Sequence, residues 1–179
     1  MSKRLLSAAL IAGLGIAFVP GAASAVDGTI TINGSVSGST CTVAVNGTSA
    51  NTVTLPTVST SALNASGTTA GQTPFSIALS GCSAGVTKAA TYFEAGPNVN
   101  AAGRLKNTAV GGAGNVDVQL VYSDNSAVAV GQPAPTSGAG SVAVASGAAT
   151  LNYYARYYAT GVVSAGTVSS TVQFSMIYN

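Results

Sequence analysis

The chain has 179 residues, a formal net charge of +2 and only 6% charged residues, with no histidine and no tryptophan. Without histidine there are no Ser-His or Cys-His nucleophile pairs and none of the common zinc triads. So nearly neutral a chain also carries no basic footprint for nucleic acid or an anionic membrane surface.

Lys3 and Arg4 precede the apolar run LLSAALIAGLGIAFV, which Pro20 and Gly21 break before a small-x-small processing site at Ala23-Ser24-Ala25. Residues 1–25 read as a secretory signal peptide. The run is too short and too interrupted by glycine to favour a transmembrane helix. No second stretch is long enough to span a bilayer, and no cysteine follows the processing site to carry a lipid. The exported product is therefore expected to have no direct membrane anchor. In it Lys88, Arg104, Lys106 and Arg156 balance Asp27, Glu94, Asp117 and Asp124. A chain with zero net charge has little colloidal repulsion, which suits self-association.

The stretch VDGTITINGSVSGSTC, residues 26–41, alternates as a strand does: Ile30, Ile32 and Val36 share one face, and Gly34 stands where the next apolar residue is due. Cys41 and Cys82 are the only cysteines. In an exported chain they are expected to form one disulfide, worth about 4 kcal/mol for a loop of this length.

Five further runs have strand periodicity. NTVTLP alternates Val53 and Leu55, and Pro56 ends it. PFSIALSGC sets Phe75, Ile77 and Leu79 on one face and leads to Cys82. NVDVQLVY sets Val116, Val118, Leu120 and Tyr122 against Asp117 and Gln119. TLNYYARYYATG sets Leu151, Tyr153, Ala155 and Tyr157 against Asn152, Tyr154, Arg156 and Tyr158. STVQFSMIYN closes the chain with Val172, Phe174, Met176 and Tyr178 on one face. Residues 131–149 are rich in small side chains, and their middle reads as loop or edge strand, not as a separate domain. No stretch has an apolar stripe at helical spacing, so the fold expected is an all-β sandwich. Its core is poor in aromatics, and the strand patterns at its two ends have no neighbouring hairpin partner.

The carboxylates of the exported chain are isolated in sequence. Asp117 and Asp124 read as solvated strand-face and turn groups in preference to an acid pair. No glycine loop follows a strand and opens a helix to cradle phosphate. Tyr153, Tyr154, Tyr157 and Tyr158 read as core on one face and sheet surface or interface on the other, ahead of a ligand-stacking surface. Neither an enzyme nor a cofactor is expected.

The N-terminal TITINGSVSGSTC and the C-terminal ARYYATGVVSAGTVSSTVQFSMIYN resemble the type 1-like fimbrial major subunits, the pilins of the chaperone–usher pathway. Members carry a signal peptide and an alternating N-terminal extension that includes a glycine. A cysteine follows, and a second cysteine closes an F-x-I-x-L-x-x-C strand. The C-terminal strand has a penultimate tyrosine and a glycine fourteenth from the end. Phe75, Ile77, Leu79, Cys82, Tyr178 and Gly166 match these positions here.

The resemblance implies an incomplete immunoglobulin-like β-sandwich that lacks its last strand and is completed by donor-strand exchange. It divides the chain into a signal peptide (1–25), a donor extension (26–37) and a pilin domain (38–179). Gly28, Ile30, Ile32, Gly34 and Val36 would be the donor residues. Gly166, Val172, Phe174, Met176 and Tyr178 would belong to the C-terminal strand that meets the chaperone and lines the groove. Cys41 and Cys82 would staple the sandwich just inside the extension. The implied partners are identical or related pilin subunits, a periplasmic pilus chaperone and an outer-membrane usher, and the implied location is a surface fimbrium. A minor tip or adaptor subunit, or a carbohydrate-binding adhesin module, are the alternatives.

Overall fold

The computed structural model describes residues 38, 40–47 and 51–179, all within the compact unit Ser37–Asn179. The signal peptide and the donor positions Gly28, Ile30, Ile32, Gly34 and Val36 lie outside the described residues. Among these residues eight strands form two sheets: β1 (Thr42–Val45), β2 (Thr69–Ser80), β3 (Lys88–Phe93), β4 (Leu105–Lys106), β5 (Val116–Tyr122), β6 (Ser141–Ala143), β7 (Ala149–Ala159) and β8 (Phe174–Tyr178). One sheet has the order β1-β2-β7-β5-β4 and the other β6-β3-β8, with every neighbouring pair antiparallel. Single 3-10 turns at Thr60–Leu63 and Gly138–Gly140 are the helical elements among the described residues.

The period-two patterns sort the faces as expected. Phe75, Ile77 and Leu79 of β2 and Leu151, Tyr153 and Ala155 of β7 are buried, and the β2–β7 register sets Phe75 opposite Tyr153 and Ile77 opposite Leu151. Tyr153 is the centre of the core, 1% exposed. Its ring stacks on Phe75 at 5.4 Å, meets Phe93 edge-on at 5.3 Å and tilts against Tyr122 at 5.9 Å. Side chains of this size stabilise by roughly 1.5–3 kcal/mol each when fully buried. Burial pushes the Tyr153 hydroxyl up to about 12, against a smaller opposing pull from Thr91. Among the described residues the Tyr153 oxygen nevertheless makes no hydrogen bond of good geometry, and the Thr91 hydroxyl donates to Met176 Sδ at 3.7 Å.

β3 was not legible as a strand. Its Ala89, Ala90, Thr91 and Phe93 are all buried, at 0–4% exposure, so its two faces show no contrast in polarity. The middle of residues 131–149 is the edge strand β6, as expected, preceded by the 3-10 turn and flanked by loop. Cys41 and Cys82 are bonded and tie the start of β1 to the end of β2.

One predicted strand does not form and another is shorter than its pattern. Residues 51–56 keep the alternation, with Val53 and Leu55 half-buried and Thr52 and Thr54 exposed, but join neither sheet. At the C-terminus only Phe174–Tyr178 is strand, although alternation runs back to Val168. Periodicity is a property of one chain segment, whereas a strand needs a ladder partner, and these two segments flank an opening.

Asp117 departs from the solvated-face expectation. It is 7% exposed, and its Oδ2 accepts from Arg104 Nε at 3.0 Å and Asn100 Nδ2 at 2.8 Å. Arg104 in turn lies 4.0 Å over the Tyr158 ring. Gln119, also buried, accepts from Arg156 Nε at 2.9 Å. Long side chains on the outer sheet face thus cover the polar side chains of β5. Asp124 is exposed in its turn, where the hydroxyl and N–H of Ser126 both donate to it and hold its carboxyl below the usual range.

Candidate functional site: an open groove beside the C-terminal strand

The opening between residues 51–55 and 168–174 is a groove of about 740 Å³. Its floor is made of core side chains, chiefly Phe75, Phe93, Leu105, Leu120 and Ala155. Val53 and Leu55 rise on one bank and Val168, Val172 and Phe174 on the other, all half-buried. A second hollow of about 360 Å³ meets it at Tyr157 and Val168 and runs on to Gly166.

The C-terminal bank is bonded along one edge. Gln173 O accepts from Glu94 N at 2.9 Å, Ser169 O from Thr108 N at 2.8 Å, and Thr167 O from Ala113 N at 2.9 Å. Beyond Phe174 the chain enters the β8 ladder with β3. The bank is therefore held from outside, and its inner side faces the groove.

Asn107, which no sequence motif singles out, clasps this bank. Its Nδ2 donates to Ala113 O at 2.9 Å and Thr167 O at 3.0 Å, and its Oδ1 accepts from Ser169 N at 2.9 Å and Ala109 N at 3.1 Å. Gly166 sits where the bank begins. A Cβ there would meet Gly112 C at 2.7 Å and Ala113 Cα at 2.9 Å, and Ala113 N more closely still. Only glycine lets these two backbones cross.

Of the sequence-predicted site residues, Val172 and Phe174 line the groove, while Met176 and Tyr178 lie beyond it, packed against the core. Val172, Phe174, Met176 and Tyr178 share the inward face. Ser170, on the same face, interrupts it: its Oγ is buried in the groove wall with no hydrogen-bond partner. The tyrosines divide as expected, Tyr153 in the core, Tyr157 in the groove wall, and Tyr154 and Tyr158 on the outer face. Among the described residues no cluster of His, Cys, Asp or Glu is suited to a metal ion.

An all-β sandwich left open along one edge, over its own core, is the incomplete immunoglobulin-like fold of pilins, the structural subunits of fimbriae. The FimA family, described as type-1 fimbrial protein A, matches residues 55–179. The major fimbrial subunit SMF-1 of Stenotrophomonas maltophilia is 45% identical over 92% of this chain and 99% of its own length. The F17 fimbrial protein of Escherichia coli is 43% identical over 94% of this chain and 96% of its own. The crystal structure of the Burkholderia pseudomallei antigen and type I fimbria protein BPSL1626 superposes with a TM-score of 0.56 at 28% identity, covering 78% of this chain and all of that one. The chain belongs to the type-1 fimbrial protein family and is a fimbrial structural subunit.

Proposed function

We propose that this subunit builds the shaft of a chaperone–usher fimbria by donor-strand exchange, residues 26–37 of one copy filling the groove of another. The observation that carries the reading is the groove itself, an apolar cleft opening onto the core beside a C-terminal segment whose hydrogen bonds, among the described residues, lie along one edge. Donation of a strand to such an edge is a known mode of recognition. Residues 1–25 would be removed on export, and 38–179 would form the body.

Ile30, Ile32 and Val36 present the period-two apolar face that such a cleft requires. Burial of each contributes roughly 1.5–3 kcal/mol. Residues 30–36 span about 20 Å at 3.3 Å per residue, the same length as the bank 168–174.

The ends of the body favour one direction. Thr40 and Asn179 are both bonded to the 83–88 segment, Ser83 N donating to Thr40 O at 3.2 Å and Thr87 N to Asn179 O at 2.7 Å. The extension of each copy therefore leaves its body at the Cys41–Cys82 end. A head-to-tail chain then receives the next extension from the opposite, Gly166 end. Val36 comes to Val168, Gly34 to Ser170, Ile32 to Val172 and Ile30 to Phe174. Gly34 is the one inward donor position that sets no apolar side chain on the buried Ser170 hydroxyl.

Before assembly the groove is an aggregation hazard, which a periplasmic chaperone would cover until the outer-membrane usher exchanges it for the next subunit. Having both a donor pattern and an acceptor groove favours a shaft subunit over a tip or adaptor subunit. The test is a chain lacking residues 26–37, expressed with chaperone and usher. It is expected to bind chaperone but form no filament, and filaments made from it alone would refute the reading.

A further inference from the structure

We propose that the end of the sandwich formed by loops 109–114 and 160–165 seats the body of the next copy in the filament, with Val110 and Val162 as its apolar anchors. The inference rests on the strand-exchange reading and extends it from the donated strand to the surface between bodies. Val110 is fully exposed and Val162 is 70% exposed, the two most exposed large apolar side chains of the described fold. Neither is on a loose loop. Asn115 Nδ2 donates to Val162 O at 2.9 Å, Gly114 N to Ser164 Oγ at 2.8 Å, and Asn107 Nδ2 to Ala113 O at 2.9 Å. The two loops are thus bonded to each other and hold their valines outward.

What would cover them is set by chain length. With Val36 at Val168, five steps along the chain reach Cys41 of the incoming copy, at most about 17 Å. Cys41 is fixed to that copy's body by its bond to Cys82. The body must therefore stand against the groove mouth, where Ala113, Ala165 and Gly166 line the hollow. The face it turns there carries Thr40, Ser83, Ala84 and Gly85, all exposed. No charged residue occurs in 107–116, in 157–173 or in 82–87. Two neutral surfaces meet without like-charge repulsion and without ion pairs for salt to screen, so the contact is apolar and insensitive to ionic strength.

The experiment uses filaments of the full chain. With Val110→Cys and Ala84→Cys combined, oxidation is expected to give a covalent ladder that survives boiling in detergent, which neither single variant gives. With Val110→Asp and Val162→Asp combined, filaments are expected still to form, but with a persistence length in electron micrographs reduced several-fold. Unchanged melting of the chaperone-bound Asp variant would establish that its fold is intact. Filaments of wild-type stiffness together with no ladder would overturn the contact. If the chain lacking 26–37 meanwhile fails to assemble, strand exchange stands and only this surface is refuted.

Discussion

Ser169 and Asn107 are joined across 62 residues of sequence, the Ser169 N–H donating to Asn107 Oδ1 at 2.9 Å. With its three other bonds, this makes one amide side chain the clasp of the groove's C-terminal bank. Asn107→Ala is expected to lower subunit stability by about 2 kcal/mol, given roughly 0.5–1.5 kcal/mol per net bond and partial exposure. Asn107→Asp should cost at least as much, because a carboxylate cannot donate to Ala113 O and Thr167 O. Melting of chaperone-bound subunits measures both, and an Asp variant as stable as wild type would exclude the clasp.

Gly34 and Gly166 should fail differently. Gly34→Leu is expected to leave the subunit folded and chaperone-bound but to block donation, read as loss of polymer in a strand-exchange assay. Normal polymerisation would show the register to be wrong. Gly166→Ala should instead destabilise the acceptor itself, since its Cβ collides with the backbone of Gly112 and Ala113. Its defect would appear in melting of the chaperone complex, while its own extension could still be donated to a wild-type groove.

Tyr153 makes the core sensitive to alkali. Its hydroxyl is raised by burial to about 12, from about 10 in the unfolded chain. The folded state therefore holds a proton that the unfolded state has lost. The associated stability is in full below pH about 10 and lost as pH rises through about 12, on the order of 3 kcal/mol. Denaturant unfolding from pH 8 to 12 should show that decline, and Tyr153→Phe should flatten most of it. Tyr122 and Tyr157, also raised by burial, would leave a residual slope.

Reduction should loosen the end from which the extension leaves. The Cys41–Cys82 bond closes a separation of 41 residues, for which the loop-entropy relation gives about 4 kcal/mol. The Cys41→Ser, Cys82→Ser double variant is expected to fold poorly outside the chaperone complex. Equal denaturant midpoints for the oxidised and double-variant subunits would contradict this.

Much of the fold could be read from residue order, because burial on one sheet face imposes a two-residue period on each segment separately. The inward faces of β2, β5 and β7, the Tyr153 core position and the cysteine pair were all legible in that way. β3 was not, because its small buried side chains on both faces leave no polarity contrast. Burial of Asp117 is not legible in the sequence, because its cover comes from Arg104, 13 residues away but set against it by β4–β5 pairing. The groove was expected from family resemblance, whereas Asn107 and Ser170 carry no motif and matter only for what they face. Sequence by itself determined which side of each strand points inward and that two strand patterns stand at the ends without near partners. The tertiary structure alone decided that residues 51–55 and 168–173 flank an opening over the core. Alternation is a local property of a chain, but which edge remains open depends on every other strand having found its neighbour.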